Sequence, residues 1–276
     1  MRRTRALITL AALPLLAGCQ AGAQAQESPS RETQVQSIPV TPSASVSSAA
    51  STTPTPSATS PSAPTAHAKP SVDKSWPKNP PWDACPAPTW PATTHPGDPG
   101  DGRRILVIGD SLTRESRVDT AKGLRATGWT PTFRCWGSTR LDWGLEQVAR
   151  AKKLHQLPDW VVIALGTNDI SWETQATTEA RMNRLLDKVG PDRQVMWVDL
   201  HLTRSAWLDA RADWFNGVVN RLARKHPNLT VVHWHKVATK AGIRGFDGIH
   251  YSDSGYRLRA RTVVERINAQ ARRLGQ

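Results

Sequence analysis

The 276-residue chain has only three cysteines, two tyrosines and three phenylalanines, and its 23 acidic residues are outnumbered by 36 Lys and Arg. With cysteine so scarce, His201, His233 and His235 find no carboxylate or cysteine to complete a ligand set, so no metal is expected and no cofactor is implied. Ala6 to Leu16 forms an apolar stretch too short to span a membrane as a mature helix. No long apolar segment offers a lid for a lipid substrate, and there is no internal repeat. Basic residues do not form one dense run, although Arg257, Arg259, Arg261, Arg266, Arg272 and Arg273 crowd the last helical pattern. A solvated helix face accounts for that crowding as well as a binding stripe does.

What is present is unevenly distributed. Met1-Arg2-Arg3-Thr4-Arg5 followed by the short apolar stretch has the form of a secretory signal. It ends in Leu16-Ala17-Gly18-Cys19, which resembles the bacterial lipoprotein signal and implies that Cys19 is acylated as the first mature residue. An ordinary cleaved signal, which would release the protein, is the alternative. Residues 1–19 are therefore expected to be signal. Residues 20–75, rich in Ser, Thr, Ala, Pro and Gln, bury too little apolar surface to offset ordering entropy and read as a flexible tether. A random coil of about 55 residues reaches roughly 40 Å. Residues 76–100 form a Trp- and Pro-rich extension, and residues 101–276 are long enough for one folded domain.

That domain carries 29 Lys and Arg against 18 Asp and Glu, a net of +11, which suits anionic partners such as acidic headgroups or wall polymers. Export argues against nucleic acid. Outside the cytoplasm, Cys85 and Cys135 are expected to pair, pinning Trp76 to Trp90 beside the loop Cys135-Trp136-Gly137; two free thiols are the alternative.

Strand-like runs recur at Ile105 to Ile108, Thr130 to Cys135, Trp160 to Leu165, Val195 to Leu200 and Leu229 to Trp234. Between them lie helical patterns. Leu208, Phe215, Val218, Val219 and Leu222 share one face of a helix over Ser205 to Lys225, and Ala260, Val263, Val264, Ile267 and Ala271 share a face of the last. Such alternation predicts an α/β fold with a five-stranded parallel sheet covered on both faces. Ligands then bind at the carboxyl ends of the strands, where Ser111, Gly137 and Asn168 all fall.

Ser111 ends the run Arg104-Ile105-Leu106-Val107-Ile108-Gly109-Asp110-Ser111. A serine hydroxyl needs a base, itself oriented by an acid, and Asp247-Gly248-Ile249-His250 offers both at a spacing that lets carboxylate meet imidazole. Oxyanion donors are expected from the backbone N–H groups of Ser111 and Gly137 and from the Asn168 side chain. Taken singly, Ser111 could be a helix cap, Asp247 a turn cap and His250 a structural histidine. Asp110 and Asp169 are expected to fix loops through backbone hydrogen bonds. Trp136, Trp143 and Trp172, among twelve tryptophans, are candidates for a sugar or acyl platform, against ordinary core packing.

The blocks Gly109-Asp110-Ser111-Leu112, Gly137, Gly166-Thr167-Asn168-Asp169 and Asp247-Gly248-Ile249-His250 stand in the order of the SGNH (GDSL-type) hydrolases, which the chain resembles over about 175 residues. The resemblance implies a flavodoxin-like three-layer α/β/α sandwich and metal-independent ester hydrolysis or acyl transfer. Ser111 would be the nucleophile, Asp247 and His250 would complete the triad, and Gly137 and Asn168 would line the oxyanion hole. One departure concerns Gly137: many members carry Asn before and a second Gly after it, whereas here the context is Trp136-Gly137-Ser138.

The expected function is an extracytoplasmic, lipid-anchored serine esterase, a monomer that removes acetyl or other small acyl groups from a cell-envelope carbohydrate. An O-acyltransferase using the same triad is one alternative. A non-catalytic wall-binding module that retains the fold is another, disfavoured by the complete set of candidate residues.

Overall fold

A computed structural model describes residues 71–72, 76–79, 82–90 and 103–276. The signal, Cys19 and nearly all of the tether lie outside the described residues. Two short strands, β1 (Ser71–Val72) and β2 (Thr89–Trp90), pair antiparallel, so the first falls inside the stretch expected to be tether.

The five apolar runs become β3 (Arg104–Gly109), β4 (Thr130–Cys135), β5 (Trp160–Ala164), β6 (Gln194–Val198) and β7 (Leu229–Val232). They pair in parallel throughout, in the order β4-β3-β5-β6-β7. Strand residues alternate between two cores. Leu106, Ile108, Val161, Ile163, Val195 and Trp197 face one cluster, while Ile105, Val107, Val162, Ala164, Met196 and Val198 face the other. Period-two alternation of uniformly apolar strands is what a sheet covered on both faces requires.

The first cluster is closed by α2 (Leu141–Lys153), α4 (Gln175–Val189) and α5 (Ala206–Lys225), and the second by α1 (Ser111–Ala126), α6 (Trp234–Lys240) and α7 (Asp253–Arg273). A one-turn helix, α3 (Asp169–Trp172), follows β5. The predicted apolar stripes of α5 and α7 are the buried ones. Side-chain oxygens of Asp110, Thr174, Ser205 and Ser252 cap α1, α4, α5 and α7, each satisfying a backbone N–H that the helix leaves unpaired.

Three strands end earlier than expected, β5 by one residue and β6 and β7 by two. After Val198 the chain leaves the sheet because the Asn216 amide brackets Leu200, accepting from its N–H and donating to its C=O, both at 2.8 Å. After Val232 it turns helical because the Asp199 carboxylate accepts from the His235 backbone N–H at the start of α6. His233 and His235 therefore stand at a helix start, not on one side of a strand. The basic crowd of α7 also divides: Arg259 is buried and donates to Ser116 Oγ at 2.9 Å, and Arg266 donates to the Val231 carbonyl. None of the described helices is long and apolar enough to cross a membrane.

The extension is stitched to the sheet edge. Cys85 and Cys135 form a disulfide, the Cys85 N–H donates to the Cys135 carbonyl at 2.8 Å, and Ala84 bridges antiparallel to Trp136. Trp76 is buried, donates from its indole to the Cys85 carbonyl, and packs its ring within 5.8 Å of Trp136 and 6.3 Å of Trp143. It also covers Arg134, whose guanidinium lies 5.7 Å from the Trp76 ring and is lowered to about 10 by burial and then by Arg150. Trp136 and Trp143 are thus engaged by the extension as packing residues, the ordinary fate of tryptophan. Trp172 is exposed but does not line the cavity that contains Ser111.

Candidate active site

Three loops at the carboxyl ends of β3, β4 and β5 and one before α7 converge on a cavity of about 510 Å³. The turn from β3 into α1 is so tight that a Cβ on Gly109 would sit 1.9 Å from Thr113 Oγ1, which is why glycine precedes the serine motif. Asp110, fully buried, accepts from the Leu112 N–H at 3.0 Å. Burial raises its carboxyl above the ordinary value, and Arg259 offsets part of that rise. Ser111 is left at the first position of α1, where a backbone N–H has no intrahelical partner.

Ser111 Oγ lies 2.9 Å from His250 Nε2, and His250 Nδ1 lies 2.8 Å from Asp247 Oδ2. The other carboxylate oxygen of Asp247 accepts the backbone N–H groups of Ile249 at 2.9 Å and His250 at 2.7 Å. Asp247 therefore orders its own loop and the histidine ring together. Burial acts to raise its carboxyl, but the hydrogen bonds from the His250 ring, the His250 N–H and the Ile249 N–H outweigh it and hold the group down at about 2. The loop sits flush on Arg204: Gly248 has φ of 79°, and a Cβ there would fall 2.2 Å from the Arg204 Cα. Beyond the loop, Tyr251 anchors the chain by donating to the His201 carbonyl at 2.7 Å.

The third loop brings Asn168 to the same cavity, with Nδ2 donating to the Thr139 carbonyl at 2.9 Å. An amide nitrogen carries two hydrogens, so one donor is left for a ligand. Asp169, buried behind it, accepts the Leu141 N–H that opens α2 with both oxygens, at 3.2 and 3.1 Å. This ties the loop after β5 to the loop after β4. Burial pushes the Asp169 carboxyl up to about 6 against the lowering effects of the Leu141 N–H and Arg181. Both buried aspartates thus hold loops, as the sequence suggests.

Gly137 is in the cavity wall, but its N–H donates to the Asp83 carbonyl at 2.8 Å. Of the three expected oxyanion donors, this one is engaged by the extension. The next residue, Ser138, has φ of 61°, a left-handed conformation uncommon outside glycine. Sequence reasoning placed the extension beside this loop through the cysteine pair, but a hydrogen bond between two backbones leaves no trace in residue identity. It likewise missed Trp82, Asp83, Arg114 and Phe246, which line the cavity with Ser111.

The histidines weighed as metal ligands lie elsewhere. His201 bonds the Ile243 carbonyl, with the His235 ring 5.3 Å away, and both line a separate cavity of about 460 Å³. Among the described residues no group of three or more His, Cys, Asp or Glu is placed to hold a metal.

Among known families, the model of the GDSL-like Lipase/Acylhydrolase family matches residues 92–258 of the chain. The chain belongs to that family. It is an SGNH-type serine hydrolase. Solved structures share the fold. The C-terminal catalytic domain of peptidoglycan O-acetyltransferase A from Streptococcus pneumoniae is similar at 19% identity and a TM-score of 0.53, covering 60% of this chain and 93% of that one. An acetylxylan esterase from Geobacillus stearothermophilus is similar at 18% identity and a TM-score of 0.51, covering 60% and 94%. A lipolytic G-D-S-L family protein from Veillonella parvula gives 17% and 0.51, covering 59% and 97%. No curated protein sequence gives a significant match. The flavodoxin-like parallel sheet expected for an SGNH hydrolase is the fold this family member has.

Proposed function

We propose that this GDSL-family hydrolase is an extracytoplasmic serine esterase that removes acetyl or other small acyl groups from a cell-envelope carbohydrate through an acyl-enzyme. The observation that carries the reading is the continuous hydrogen-bonded chain from Ser111 Oγ through His250 to Asp247. His250 Nε2 takes the serine proton as Oγ attacks the ester carbonyl, while Asp247 holds Nδ1–H and stabilises the imidazolium. The Ser111 N–H and the free hydrogen of Asn168 Nδ2 receive the oxyanion. His250 then protonates the leaving alcohol, and water attacks the acyl-enzyme by the reverse sequence. The Gly137 N–H joins the oxyanion hole only where the Asp83 carbonyl gives way.

Location outside the cytoplasm rests on the signal-like residues 1–19, with Cys19 as the lipid attachment, and is supported by the Cys85–Cys135 disulfide, a bond of oxidising compartments. The same residues would serve an acyltransferase if a sugar hydroxyl replaced water. Released against transferred acetate, measured with a glycan acceptor present, separates the two.

The mechanism is tested with p-nitrophenyl acetate and the purified protein. Turnover is expected for the parent and its loss in Ser111→Ala; equal rates for the two would overturn the assignment.

A further inference from the structure

The two most exposed large apolar side chains among the described residues are Trp82, 85% exposed, and Phe246, 83% exposed. Both line the cavity that contains Ser111. Scattered exposed apolar residues need no explanation, but two aromatic rings at one catalytic cleft do.

Each ring is keyed to one member of the Ser–His pair. Trp82 comes from the disulfide-pinned extension, yet Arg114, one helical turn beyond Ser111 on α1, donates to its carbonyl and holds its guanidinium 5.4 Å from the ring. The Phe246 ring stacks on the His250 ring at 6.0 Å and 25°, and its N–H donates to the His250 carbonyl at 3.0 Å. The backbone of Trp82 is held a second way, since Asp83 accepts from Gly137 and Cys85 is bonded to Cys135. Such anchoring reduces the ordering cost of binding. Beside the rings stand the carboxylates of Asp83, Glu115 and Asp253.

Resting on the esterase reading above, we propose that Trp82 and Phe246 form a sugar-ring subsite for the alcohol portion of the ester. The rings meet the C–H faces of a pyranose, and the carboxylates accept its hydroxyls. A long acyl chain fits this lining poorly, because it would cover Asp83, Arg114, Glu115 and Asp253 without offering hydrogen bonds.

The test compares kcat/KM for a partly O-acetylated chito-oligosaccharide with that for vinyl acetate, which has neither sugar nor aromatic ring to stack. In Trp82→Ala and in Phe246→Ala the ratio of glycan ester to vinyl acetate is expected to fall at least five-fold, mainly through KM for the glycan. Trp82→Phe should recover most of the loss. A smaller fall in both alanine variants overturns the subsite. So does a parent enzyme that cleaves vinyl acetate but not the oligosaccharide, or one whose p-nitrophenyl palmitate turnover is what Trp82→Ala removes. Those outcomes leave the esterase reading standing. Failure of the parent on every ester, or full activity in Ser111→Ala, overturns the esterase reading itself.

Discussion

Replacing Asp247 by asparagine separates two jobs that one carboxylate does. Oδ1 accepts two backbone N–H groups, from Ile249 and His250, and Oδ2 accepts the imidazole Nδ1–H. The two backbone donors require an acceptor, so an asparagine keeps its carbonyl oxygen on them and turns its NH2 toward Nδ1. Two N–H donors cannot face each other. The ring therefore moves its proton to Nε2, the nitrogen that must accept from Ser111, and the serine loses its base. In the serine-protease precedent this inversion costs about 10⁴ in kcat, which is about 5.4 kcal/mol at 1.36 kcal/mol per decade. Because both loop hydrogen bonds survive, the midpoint of thermal unfolding should move by no more than a few degrees. The assay is kcat on p-nitrophenyl acetate beside a melting curve for each protein. Asp247→Ala, which loses the loop bonds as well, should show the rate loss together with a lower midpoint. An Asp247→Asn enzyme with parent stability and kcat within ten-fold of the parent would refute the reasoning and leave Asp247 a turn cap.

Asn168→Ala should lower kcat by about 10² to 10³, the usual cost of one oxyanion donor, with KM for p-nitrophenyl acetate nearly unchanged; a loss under ten-fold would remove Asn168 from the hole. Cys85 and Cys135 are 50 residues apart, so opening their bond in a double alanine variant is expected to cost about 4 kcal/mol by loop entropy, or roughly 8 to 16 °C in the melting midpoint for a domain of this size. A shift under about 3 °C contradicts that. The Asp169 carboxyl, at about 6 in the folded protein, lies above its unfolded value, so its contribution is full below about pH 4 and is lost as pH rises through about 6. About two pH units correspond to about 3 kcal/mol for this fully buried group. Asp169→Asn removes that titration, and urea unfolding at pH 4 and pH 7 should show a smaller fall in stability than in the parent; an identical fall refutes it.

Much of the architecture was legible because it is written in local pattern. Uniform apolar runs separated by helical stripes specify a covered parallel sheet, and every strand ends within two residues of its expected position. The two strands that ended two residues early, β6 and β7, were stopped by side chains distant in sequence, Asn216 on Leu200 and Asp199 on His235, and period alone does not report such partners. The hydrogen-bonded set of Ser111, His250 and Asp247 was legible too, since Asp247 and His250 interact within one turn and Ser111 follows a strand. Which tryptophans face the cleft was not. Trp136 and Trp143 adjoin the oxyanion loop in sequence but pack against Trp76, whereas Trp82, distant in sequence, lines the cavity.

By itself the sequence determines the chemistry available: a serine after a strand, a carboxylate three residues from a histidine, an amide in a loop and two cysteines to be joined. Tertiary structure alone decides access. It sets Ser111 Oγ at 2.9 Å from a histidine 139 residues away, and it sets the Asp83 carbonyl on the Gly137 N–H that the motif would leave open. Motifs are properties of neighbouring residues, whereas the occupancy of a backbone donor depends on which distant segment packs there. Here a disulfide chooses the segment.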